Sequence, residues 1–208
     1  MGVNTRVSTV IPGVAGVVLT ILARTTQELT GNTIAQLADT GASQTGTNKA
    51  LKRLVASGLV LSRSAGSSLL YQLNRDHVAA PALLALVDLR QVLVDRIKAL
   101  VAEWEHQPTA VALFGSVARE QDTDASDIDL LVVRSDATDA EDPVWSDQLM
   151  NLGESVGRWS GNSCEILEYS DSEFAELVRS QDSLVANLRQ DAVGLVGLSP
   201  RELTRTGR

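Results

Sequence analysis

The chain has 208 residues, 18 Lys and Arg against 26 Asp and Glu, a net charge of −8 and a single cysteine. That length holds one large domain or two small ones, and one cysteine, Cys164, excludes an internal disulfide and points to a reducing, cytoplasmic setting. No stretch approaches the ~20 apolar residues of a membrane span, which excludes a membrane partner as an expectation.

The charge is unevenly spread. Residues 1–76 carry seven Lys and Arg against three Asp and Glu, a balance of +4, whereas residues 77–208 carry eleven against twenty-three, a balance of −12. A basic front and an acidic back suggest two modules with different partners.

In chain order, the apolar run Val10–Ala23 has Pro12 within it and only Arg6 ahead of it. It reads as a buried helix, Val14–Ala23, rather than a signal-peptide core. Thr33–Gly41 reads as a short helix capped by Thr33 or Asn32 and ended by Gly41. Ser43 can cap a further helix, Gln44–Ser57, stopped by Gly58, with Ala50, Leu51, Leu54 and Val55 on its inner side. Residues 59–64 and 68–74 alternate across Ala65-Gly66-Ser67 like a β-hairpin.

Helix, helix–turn–helix and hairpin is the order of a winged helix. The run Thr33–Tyr71, with its Leu51-x-x-Leu54-Val55-x-x-Gly58-Leu59-Val60 exit, resembles MarR- or ArsR-like winged-helix transcription factors. The resemblance implies a recognition helix whose outer side offers Gln44, Thr45, Thr47, Asn48, Lys52 and Arg53, with Lys49 nearby and Arg63 in the wing. Short polar residues reach base edges and cations reach phosphates, so double-stranded DNA is the expected partner. A pairing or purely structural role stays open, since fold alone does not fix function.

Pro81–Trp104 has apolar residues at helical spacing and reads as one long connecting helix, serving also as a contact between two copies of the chain. Pro108 interrupts. Ala110–Phe114 and Asp127–Arg134 read as strands, Ser135–Pro143 as an acidic surface loop, Val144–Trp159 as a helix, Ser163–Tyr169 as a third strand and Asp171–Arg179 as a helix capped by Ser170. Residues 199–208 read as a frayed tail. The expected fold class is α+β: a front module 1–76, a connector 77–107 and a rear module 108–198 with a small mixed sheet.

The chemistry concentrates in residues 113–133. Residues two apart in a strand point to one face, so Asp127 and Asp129 converge while Ile128 enters the core. Two like charges held close are costly without a cation between them. Magnesium is the expected one, because it takes oxygen ligands from one or two carboxylates plus substrate phosphates. Gly115 permits close backbone approach, Ser116 adds a hydroxyl beside exposed N–H groups, and the Arg119 guanidinium fork matches phosphate oxygens. His77 and His106 lack ligand spacing, and Cys164 reads as a small core residue rather than a nucleophile.

The Gly115-Ser116 turn, ten intervening residues and Asp127-Ile128-Asp129 resemble the signature of the DNA polymerase β-like nucleotidyltransferase superfamily. Phe114-Gly115-Ser116-x-Ala118-Arg119 and Ser126-Asp127-Ile128-Asp129-Leu130 are similar to its minimal, bacterial-type branch. Residues 183–197 look like the branch's terminal helix and Gly-ended tail. The resemblance implies transfer of a nucleoside monophosphate from a nucleoside triphosphate to an acceptor hydroxyl, with two Mg²⁺ held by Asp127 and Asp129. It implies a third carboxylate on the neighbouring strand, Glu165 or, second, Glu168. The family's first basic residue after Gly-Ser is replaced by Val117, and a frequent Gly by Glu120, which reduces the phosphate grip. The branch includes members that transfer AMP to a protein partner, so a protein acceptor is one expectation. The alternative is a transcription regulator whose transferase-like domain senses nucleotide or is silent.

Overall fold

The computed structural model describes residues 10–38, 43–119 and 126–205. Gly41 and Glu120 lie outside these residues, as do 206–208 of the expected tail. Among the described residues, no helix is long and apolar enough to cross a membrane. The chain divides into two compact units that meet in sequence at Leu89 and Arg90.

In the front unit, α1 (Val14–Ala23) is apolar almost throughout and buries Val18, Leu19 and Leu22. A two-residue strand β1 (Leu29–Thr30) leads into α2 (Gly31–Leu37). The cap of α2 is Thr30, whose Oγ1 accepts from Thr33 N at 3.1 Å, two to three residues ahead of the expected Asn32 or Thr33. Pairing of β1 with the hairpin holds Thr30 extended, which is the conformation a cap residue needs. The next helix, α3 (Gln44–Ala56), is capped by Ser43 Oγ as expected, accepting from Gly46 N.

Two strands, β2 (Val60–Ala65) and β3 (Ser68–Leu73), form the expected hairpin, and β1 adds to β3 to give the order β1-β3-β2. Gly66 turns it at φ +60°, the positive backbone angle that tight two-residue hairpin loops require. Ile34, Leu51, Val60 and Leu73 join the α1 residues in one core.

The single connecting helix expected over 81–104 is two helices, α4 (Ala80–Val87) and α5 (Leu89–Ala102). Asp88, at φ −112° and ψ 38°, leaves helical geometry between them. Leu83, Leu84, Leu86 and Val87 pack into the front core, whereas Leu93, Val94, Ile97 and Val101 are buried in the second helix. Apolar spacing runs on across the division between the two units, so it mimics one stripe. Trp104 lies beyond α5 and meets Trp145 edge-on at 5.5 Å.

The rear unit is built on four strands, β4 (Ala110–Phe114), β5 (Ile128–Arg134), β6 (Cys164–Ser170) and β7 (Val193–Gly197), in the order β6-β5-β4-β7. Only β5 and β6 run parallel, so the sheet is small and mixed as expected. A four-residue helical turn α6 (Gly115–Ala118) follows β4, and the long α7 (Pro143–Ser160) packs on β6. Phe174 and Val178 from α8 (Asp171–Ser180), with Val185 and Leu188 from α9 (Ser183–Asp191), cover Ala110, Ala112, Leu131 and Val133 on one sheet face.

Two stretches depart from expectation. Residues 193–197 form an edge strand on β4, and residues 199–205 are not a frayed tail: α10 (Pro200–Leu203) is boxed by Ser199 and Glu202, and Thr204 is buried. The open edge of β4 takes up the backbone hydrogen bonds of β7, and that return brings Pro200 against Gly194. The acidic loop is also more than solvated surface, because Asp142 caps α7 and Asp136 accepts from Ser172 N and Oγ.

Candidate active site

β5 begins where two backbone ties fix it. Asn162 Nδ2 donates to Ser126 O, and Ile128 N donates to Ser163 O at 2.8 Å. Asp127 stands exposed between these ties, Ile128 is fully buried, and Asp129 is half-buried. The period of the strand puts Asp129 on the side away from Ile128, and Asp127, just ahead of the strand, is near enough for its charge to act on Asp129.

Asp129 is the centre of a three-strand row. It pairs in register with Phe114 of β4 on one side and Glu165 of β6 on the other. In-register residues of adjacent strands project to one face, so Glu165 stands beside Asp129. Glu168 pairs with Val132 and faces the opposite way, where it accepts from Arg134 Nε at 2.7 Å and Trp145 Nε1 at 2.9 Å. Between the two candidate carboxylates, the register puts Glu165 on the face of Asp129 and commits Glu168 to packing.

The electrostatics report the crowding. Burial pushes the Asp129 carboxyl above its ordinary value, the charges of Glu165 and then Asp127 push it further, and Arg119 pulls it back. The Cys164 thiol, neighbour of this row, is pushed up to about 12 by burial and by Asp129 and Glu165, which keeps it protonated and unreactive.

Gly115 completes the site. It sits at φ +71°, and a Cβ there would lie 2.0 Å from Asp129 Oδ2. Backbone passes this close to the carboxylate only because no side chain intervenes. Ser116 follows in α6, half-buried, and Arg119 caps that turn. Arg119 Nη1 lies 3.3 Å from Asp191 Oδ2 at the end of α9. Arg90 Nη1 donates to Ala118 O at 3.1 Å and pins the turn from the other side. Asp191, Arg90 and Asn162 escaped the sequence reading: each acts through a partner 28 to 72 positions away, and no local pattern marks them.

Among the described residues, no group of three His, Cys, Asp or Glu side chains is placed to hold a metal ion, Asp127, Asp129 and Glu165 included. The crowded carboxylates at Asp129 are nonetheless the donor set a hard cation suits, and magnesium completes its shell with substrate phosphates and water. His77 Nδ1 accepts from Ala79 N, and His106 Nε2 lies 3.5 Å from Asp142.

In the front unit, Gln44, Thr45, Asn48, Lys49, Lys52 and Arg53 are all exposed on α3. They form two rows at four-residue spacing, Gln44–Asn48–Lys52 and Thr45–Lys49–Arg53, side by side on the helix. Thr47, expected on the outer side, is fully buried instead, because its position shares the inward face with Ala50 and Leu51. Arg63 in the hairpin is bound in a two-pronged ion pair by Glu28.

Residues 96–186 match the family model described as Polymerase beta, Nucleotidyltransferase. The match takes in Gly115, Ser116, Arg119, both aspartates and Glu165, and stops before Asp191. A crystal structure of a toxin–antitoxin with AMP-PNP is similar over 53% of this chain and 80% of that chain, at 17% identity and a TM-score of 0.38. No curated protein matches.

Proposed function

We propose that the rear unit is a metal-dependent nucleotidyltransferase, moving a nucleoside monophosphate from a nucleoside triphosphate to an acceptor hydroxyl. The observation that carries this reading is the in-register row Phe114–Asp129–Glu165 with Gly115 pressed on the Asp129 carboxylate. Asp127 and Asp129 would hold magnesium, with Glu165 as third carboxylate. Bound there, Mg²⁺ supplies charge neutralisation at the phosphates and stabilises the leaving pyrophosphate. Glu165 stands on the face of Asp129 from which a carboxylate can take the proton of the attacking hydroxyl. Ser116 and the backbone after Gly115 offer donors to the β- and γ-phosphates, and the Arg119 fork adds charge.

The front unit, read as a winged helix, would bind duplex DNA through the two exposed rows of α3. Its positive balance, against the negative rear, supports that assignment. Arg63 contributes less than its charge suggests, because Glu28 already neutralises it.

A second reading, a regulator whose rear unit only senses nucleotide, is favoured by the Arg119–Asp191 pair, which occupies the guanidinium meant for phosphate. Pyrophosphate release from Mg²⁺ and ATP, CTP or GTP in cell extract separates the two. Release that disappears in Asp129→Asn supports the enzyme; nucleotide binding without release supports the sensor. Unchanged calorimetric affinity for Mg²⁺–nucleotide in Asp129→Asn overturns the site itself.

A further inference from the structure

Outside the carboxylate row, the rear unit gathers cations in one place. Arg189 on α9, Arg201 on α10, and Thr204 and Arg205 just after it line a shallow cavity of about 470 Å³. Among the described residues, no carboxylate pairs with any of these arginines. The nearest acids in sequence are committed elsewhere: Asp191 to Arg119, and Glu202 to Ser199 N and Oγ at 2.9 and 2.6 Å. Arg189 is held in place, because its Nη2 donates to Thr204 O, and Thr204 is itself buried with its hydroxyl donating to Pro200 O at 2.7 Å.

We propose that this cavity is a second anion site, distinct from the carboxylate row, that binds the phosphate groups of a small ligand. Guanidinium forks match phosphate oxygens in pairs, and three of them with no carboxylate partner among the described residues leave a focus of positive potential on one wall. The volume falls within the few hundred Å³ usual for small-molecule sites. The acidic surroundings, −12 over residues 77–208, repel a long polyanion but cost a compact one little. That favours a free polyphosphate or a nucleotide over a nucleic-acid strand.

The test is calorimetry on the full chain carrying Asp129→Asn, in chelator, so that the metal-dependent site is silent whether or not it is a transferase. Pyrophosphate, ATP and AMP are titrated separately. Saturable binding is expected, weakened about tenfold or more by Arg201→Ala with Arg205→Ala, the loss of a charge-assisted contact. Both residues are exposed, and Arg201→Glu provides an independent reversal of charge. Equal affinity for pyrophosphate and ATP assigns the site to phosphate alone; tighter ATP assigns it to a nucleotide. No saturable heat, or affinity unchanged in both variants, overturns the proposal. Loss of Mg²⁺–nucleotide binding in Asp129→Asn, measured separately, concerns only the carboxylate row.

Discussion

A methyl group on Gly115 would lie 2.0 Å from Oδ2 of Asp129, so the backbone of the turn and the carboxylate of the strand occupy adjoining space that only glycine leaves open. The positive φ of 71° adds a second reason. Gly115→Ala should therefore both strain the turn, by about 1–2 kcal/mol for an L-residue in left-handed geometry, and push Asp129 off its position. Urea unfolding is expected to show the stability loss, and Mg²⁺–nucleotide calorimetry a larger proportional loss of affinity. A variant that binds nucleotide like the wild type would detach Gly115 from the site.

Glu165 and Glu168 are three residues apart on one strand and face opposite ways, so their amides should behave differently. Glu165→Gln should leave stability near that of the wild type and lower nucleotidyl transfer by about 10²–10⁴-fold, the usual worth of a general base. Glu168→Gln should leave transfer largely intact but cost about 1–3 kcal/mol, because Arg134, 8% exposed, loses its charged partner. Thermal unfolding and a pyrophosphate assay on both proteins decide the matter, and the reverse pattern would exchange their roles.

Asp129 should make folding pH-dependent. Burial first, then Glu165 and Asp127, raise its carboxyl above the ordinary value, against the pull of Arg119. The folded chain then holds that proton more tightly than the unfolded chain. Stability is full below the ordinary carboxylate value and declines as pH rises through the raised one. In chelator, Asp129→Asn should melt higher than the wild type at neutral pH, and the gap should close toward about pH 4. The carboxyl is only partly buried, so the gap is small. An Asn variant that melts lower at neutral pH would contradict the crowding.

For the front unit, binding to duplex DNA should weaken with salt by about 0.9 in log affinity per log salt for each phosphate contact. Lys52→Ala with Arg53→Ala should flatten that slope by up to about two contacts' worth. Arg63→Ala should change it less, since Glu28 already holds the guanidinium. Mobility shifts on genomic fragments at several salt concentrations measure this. No shift at low salt would remove DNA from the reading of this unit.

Local signals determined much of this protein. Ser43 and Ser170 sit where capping chemistry predicts, and the short apolar runs of β4 and β5 form strands as expected, because those rules act over a few residues. The aspartates and Gly115-Ser116 were legible for the same reason: spacing of two in a strand and a glycine before a turn are short-range facts. Tertiary structure decided the rest. The parallel register of β5 and β6 chose Glu165 over Glu168 for the face of Asp129, and no count along one strand contains that choice. Asp88 split the connecting stripe: the half before it packs into the front core, and from Arg90 on the chain belongs to the rear unit. Thr30 rather than Asn32 or Thr33 caps α2 because β1 pairs with a strand some forty residues on. Arg119 met Asp191, and Arg189 joined Arg201 and Arg205, only once the edge of β4 drew residues 193–197 back to the sheet. Backbone hydrogen bonds at an open sheet edge must be satisfied, and the chain that satisfies them lies far away in sequence.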